Sequence, residues 1–171
     1  NLIISGPAVV WPERCILYFV NKVKGRWKGN MIKYRRIPAD ISDRLERLAF
    51  LLQQDQRVVF AYLFGSLASG VQKPLSDVDI AVMLDSSVVN AEVKLDLIGL
   101  LTDTLGTDEV DLVILNTAPI SLVGRILKQK KLLADNQPFQ RHQFESLAMR
   151  EFFDFRLLEQ AILDRRFAGG R

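Results

Sequence analysis

The sequence predicts an α/β (α+β) domain, a mixed β-sheet of about four strands flanked by helices. Three observations predict it. Apolar, β-branched runs of strand length alternate with segments of helical periodicity. The chain has 171 residues, 49% hydrophobic and 25% charged, a composition that supports a buried core and excludes a disordered profile. No apolar stretch approaches the ~18 residues of a membrane span.

The elements follow in order. Residues 40–54 place Ile41, Leu45, Leu48, Ala49 and Leu52 at helical spacing, with Asp40 or Ser42 as N-cap. Residues 57–64 (RVVFAYLF) form a strand that runs directly into Gly65-Ser66, a short helix and Gly70. Residues 77–85 (DVDIAVMLD) are a second strand. Residues 90–105 are a helix ended by Gly106, with Val93, Leu97, Leu100, Leu101 and Leu105 on its apolar side. Residues 109–115 (EVDLVIL) are a third strand. Residues 119–128 are a helix with Pro119 in its first turn. Residues 132–135 are a short fourth strand, and residues 139–167 a long helix or a bent pair. There are no repeats and no low-complexity tract.

Charge divides the chain unevenly. Residues 1–36 hold eight basic side chains against Glu13 alone, a net of +7 within a chain total of +3, which leaves −4 for the remainder. Residues 1–30 lack sustained periodicity, and Met31 is the first methionine. They are expected to be an irregular basic leader outside the working domain, upstream translated sequence or a poorly ordered extension, with 31–171 as the domain. The rival reading is a basic arm for nucleic acid. The acidic domain itself argues against RNA, which demands phosphate neutralisation. Cys15 is the single cysteine, so no internal disulfide framework exists. The short apolar run after Glu13-Arg14 has the wrong order for a signal peptide. A cytoplasmic location, with no membrane partner, is expected.

The second strand holds the chemistry. Side chains alternate faces, so Asp77, Asp79, Ala81 and Met83 share one face and Val78, Ile80, Val82 and Leu84 the other. Two carboxylates that close repel unless a cation sits between them. Hard oxygen donors without His or Cys suit Mg²⁺ or Mn²⁺. In the third strand, Asp111 faces away from Val110, Leu112 and Ile114. If the two strands are neighbours with core faces aligned, Asp111 joins Asp77 and Asp79. Three carboxylates can hold two metals, which clamp the attacking and leaving oxygens of a phosphoryl displacement. Gly65 and Ser66 supply a close backbone approach and free amides for phosphate oxygens.

The stretch YLFGSLASGVQKPLSDVDIAVMLD, with VDLVILN downstream, resembles the DNA polymerase β-like nucleotidyltransferase superfamily. It looks most like the minimal nucleotidyltransferase (MNT) branch, the MntA-like antitoxins paired with HEPN-domain toxins. The likeness covers about residues 37–160. Asn116-Thr117-Ala118-Pro119 and Arg141 with Phe144-Glu145 are further points of similarity. The resemblance implies a polymerase β-like fold, Asp77 and Asp79 as metal ligands, and Asp111 as a third, metal-bridging carboxylate that activates the acceptor. It implies Gly65 and Ser66 as holders of the nucleotide triphosphate, ATP as substrate and two Mg²⁺ ions. The implied reaction is transfer of AMP to a tyrosine hydroxyl of a partner HEPN toxin. One position departs from the pattern: Ser69 stands where the family often has Arg.

Two other functions stay open. One is a catalytically weak binding module that neutralises a toxin by steric cover. The other is a nucleotidyltransferase for a small molecule or an RNA end. Among the remaining residues, His142 is read as structural or exposed and Glu109 as an exposed strand-end charge. Lys128, Lys130 and Lys131 are read as a solvated helix end. Phe152, Phe153 and Phe155 are divided between core and a partner surface.

Overall fold

The computed structural model describes residue 38 and residues 40–70 and 77–168. The expected leader, 1–30, and the expected domain start at Met31 lie outside these residues. In chain order the elements are α1 (Ile41–Gln54), β1 (Val58–Phe64), α2 (Gly65–Ala68), β2 (Val78–Leu84), α3 (Ala91–Leu105), β3 (Val110–Ile114), α4 (Ile120–Lys128), β4 (Lys131–Asp135) and α5 (Pro138–Ala168). Each sequence-predicted element of this span is present within one or two residues of its expected bounds. The last segment is one continuous helix rather than a bent pair.

The strands form one mixed sheet in the order β3-β2-β1-β4. The parallel pair is β2–β3, and β1 runs antiparallel to both β2 and β4. Helix α1 buries Ile41, Leu48 and Leu52, and α3 buries Val93, Leu97, Leu101 and Leu105. Both stripes pack with Val58, Ala61, Leu63, Val78, Ile80, Val82, Leu84, Val110, Leu112 and Ile114 on one face of the sheet. The other face carries Phe60, Tyr62 and Ala81, packed against Val123, Ile126 and Leu127 of α4 and Ala148 of α5. An irregularity in the β1–β2 register at Val59 turns both Val59 and Phe60 to this second face.

Local chemistry explains the element ends. Asn90 caps α3, its side chain accepting from the Val93 amide at 2.8 Å, and Gly106 closes the helix at φ +65°. Asp40 is the N-cap residue of α1, but its carboxylate accepts from Arg44 Nε at 2.8 Å instead of capping an amide. Gly124 lets α4 close on α5: a side chain there would collide with the Phe152 ring. Phe152 is accordingly core, whereas Phe153 on the same helix is 55% exposed. No helix among the described residues is long and apolar enough to cross a membrane.

Candidate active site

The second face of the sheet changes character at one end. Phe64, Asp79 and Asp111 are register partners across β1, β2 and β3. Side chains of in-register neighbours project to the same side, and neighbouring strands lie about 4.8 Å apart. Asp79 and Asp111 therefore rise side by side from adjacent strands, both half-buried. The condition set by the sequence, that the two strands be neighbours with core faces aligned, is met.

That register is pinned at both ends. At the carboxylate end the Val78 amide donates to the Glu109 carbonyl at 2.9 Å. At the far end the Asn116 side chain pairs twice with Leu84, accepting from its amide at 2.9 Å and donating to its carbonyl at 2.8 Å. Asn116, one of the points of family similarity, thus works as a clip that extends the β2–β3 ladder.

Asp77 stands immediately before β2, half-buried, two residues from Asp79. The donor set of Asp77, Asp79 and Asp111 is all carboxylate oxygen, which fits a hard divalent cation. Among the described residues, however, no three His, Cys, Asp or Glu side chains converge as a ready metal cage. Of the expected trio, Asp79 and Asp111 are register partners and Asp77 stands at the strand entrance.

Gly65 follows Phe64 directly and opens α2 at φ +73°. A Cβ at this position would collide with a carboxylate oxygen of Asp79 and stand 2.9 Å from its Cγ. Glycine is therefore required twice, by the left-handed backbone and by the carboxylate lying against its α-carbon. Sequence reading gave Gly65 to the phosphate; its contact with Asp79 was not legible, because it depends on how the chain curls after β1. Ser66 follows in the same single helical turn. Ser69, the departure from the family pattern, turns its hydroxyl back onto this turn, donating to the carbonyls of Gly65 at 2.9 Å and Ser66 at 3.1 Å.

Farther along the same face lies a second polar group. Lys130 is not a solvated helix end: it pairs with Glu145 and sits 4.6 Å from the centre of the Tyr62 ring. The buried Tyr62 hydroxyl donates to Glu145 Oε1 at 2.6 Å, and Arg141 reaches both Glu145 (3.2 Å) and Asp135 (2.9 Å). Burial, reinforced by the Glu145 carboxylate, pushes the Tyr62 phenol far above its ordinary value. For Glu145, burial acts upward, but hydrogen bonds from Lys130 and Tyr62 outweigh it and hold the carboxyl below the usual range. His142 is exposed, within 3.2 Å of Arg141.

A mixed sheet that presents paired strand carboxylates beside a Gly-Ser turn defines a nucleotidyltransferase domain. The chain belongs to the family described as Polymerase beta, Nucleotidyltransferase, whose profile matches residues 46–139. Solved structures narrow the likeness to MntA antitoxins of HEPN–MNT toxin–antitoxin systems. One is the toxin–antitoxin MntA–HpeT mutant with two Asp→Glu changes, 27% identical, with a TM-score of 0.60 over 71% of this chain and 98% of that one. A second is a toxin–antitoxin with AMP-PNP, 28% identical, with a TM-score of 0.55 and 71% and 98% covered. A third is a tri-AMPylated Shewanella oneidensis HEPN toxin in complex with MNT antitoxin, 24% identical, with a TM-score of 0.57 and 73% and 98% covered. This third likeness is one of fold. A comparison with curated proteins returned no match.

Proposed function

We propose that this nucleotidyltransferase is an antitoxin that transfers AMP from ATP to a tyrosine hydroxyl of a partner HEPN toxin and thereby silences it. The observation that carries the proposal is the register pairing of Asp79 with Asp111 beside the Gly65-Ser66 turn. The likeness to toxin–antitoxin structures, one of them with AMP-PNP, supports a toxin as partner and ATP as nucleotide.

In this reading Asp77 and Asp79 hold divalent metal, Mg²⁺ or Mn²⁺, and Asp111 is the third carboxylate. The bound cations would supply charge stabilisation at the transferring phosphoryl group. Gly65 and Ser66 present backbone amides to the triphosphate. The acceptor oxygen attacks the α-phosphorus, the bond to the β-phosphate breaks, pyrophosphate leaves, and the hydroxyl proton passes to Asp111. Substrate positioning and charge stabilisation do most of the work in such a displacement. The domain on which this acts is the acidic portion of the chain, with residues 1–30 a leader dispensable for transfer.

Intact-mass measurement of the toxin after co-expression tests the proposal. Wild-type protein is expected to leave AMP adducts on the toxin, and Asp77→Ala/Asp79→Ala to leave none. Adducts that persist in the double variant would overturn it. Toxin neutralisation without any adduct would instead establish steric cover, for which α5 offers exposed Phe153, Leu157, Leu158 and Ile162.

A further inference from the structure

The turn between β1 and residue 70 is a four-residue helix, too short to be stable by its own backbone bonds. It nevertheless has to hold Gly65 at a positive φ, with its α-carbon against the Asp79 carboxylate. Backbone closure comes from the Ser69 amide, which donates to the Gly65 carbonyl at 3.3 Å. The Ser69 hydroxyl adds one proton shared between the carbonyls of Gly65 and Ser66. Serine hydroxyls commonly bond back to carbonyls three and four residues earlier. Here those two carbonyls belong to the residue that backs Asp79 and to the one beside it.

We infer that Ser69 is a positioning residue of the nucleotide site: its hydroxyl locks the Gly65-Ser66 turn, and through Gly65 fixes the seat of the Asp79 carboxylate. This deepens the nucleotidyltransferase reading and rests on it. Where the family pattern often offers a cation, this chain offers a clamp on the turn itself. The chain of contact is short: Ser69 hydroxyl to Gly65 carbonyl, Gly65 α-carbon to Asp79 carboxylate. Loosening its first link should cost ordered binding of metal–nucleotide without unfolding the domain, because Ser69 is exposed and outside both cores.

The backbone at Ser69 is right-handed (φ −81°, ψ −1°), so Ala and Thr both fit it without strain. The test is calorimetric titration of the full chain with AMP-PNP in the presence of Mg²⁺, alongside thermal unfolding. Ser69→Ala is expected to weaken AMP-PNP binding about fivefold, the size of one lost neutral hydrogen bond, with melting within about 4 °C of wild type. Ser69→Thr, which keeps the hydroxyl, is expected to bind within about twofold of wild type. Wild-type affinity in Ser69→Ala would overturn the inference, as would failure of Ser69→Thr to rescue. If wild-type protein itself did not bind AMP-PNP, the nucleotide reading would fall, and this inference with it.

Discussion

The sheet face under α1 and α3 is apolar along its length, from Val58 and Leu84 to Val78 and Val110. The face under α4 and α5 begins apolar, with Phe60 and Met83, passes the Tyr62–Glu145–Arg141 group, and ends at Asp79 and Asp111. The same strands build both faces, since each alternate residue points the other way. Concentrating apolar burial on one face leaves the other free to carry carboxylates at its end. In the proposed reading, stability and chemistry fall to different side chains of the same strands.

Five perturbations sharpen or break that division. The largest concerns the chemical face: Asp79→Asn should lower AMP transfer by more than about a thousandfold, the several kcal/mol that metal-assisted charge stabilisation supplies, while leaving thermal unfolding nearly unchanged. A large drop in melting temperature would mean that Asp79 serves the fold. Next comes the opposite face. Leu101→Ala removes a fully buried side chain and should cost about 2–5 kcal/mol in denaturant unfolding, with transfer per folded molecule preserved. Loss of turnover in folded Leu101→Ala protein would show that the faces are coupled.

The third perturbation lies between them. Tyr62→Phe removes the hydroxyl that donates to Glu145 and should cost about 1 kcal/mol. Glu145 also makes stability depend on pH. Its carboxyl is held below the ordinary 4.5 in the fold, so its contribution is present above the unfolded-state value and is lost as pH falls through the lower folded value. Stability measured from about pH 5 to about pH 3 should fall less steeply in Glu145→Gln than in wild type. Equal slopes would remove Glu145 from the account. The smallest effect is expected outside both faces: Leu157→Ser, at an exposed position on α5, should change unfolding by less than about 0.5 kcal/mol.

The architecture was legible in the sequence because the period of each segment is clean. DVDIAVMLD alternates between two faces, and Val93, Leu97, Leu101 and Leu105 recur at helical spacing. The pair of Asp79 and Asp111 was legible only as a condition, since alternation gives faces but not neighbours or register. What fixes the register, Asn116 reaching back 32 residues to Leu84, leaves a residue in the sequence and no sign of its target. Gly65 and Lys130 show the same limit. A glycine that makes room for a distant carboxylate looks like any turn glycine, and a lysine at a helix end looks solvated until Glu145 of another helix meets it. Local periodicity encodes elements; contacts between elements decide what a single polar residue does.

The proposed role of Asp77, Asp79 and Asp111, beside Gly65, is to hold the catalytic cation. Anomalous diffraction from crystals of the protein grown with Mn²⁺ and AMP-PNP tests it most directly. An anomalous peak is expected within coordination distance of the Asp77 and Asp79 carboxylates, on the side of Asp111, with the triphosphate over the Gly65-Ser66 turn. A Mn²⁺ ion seated elsewhere in a protein that still transfers AMP would contradict it.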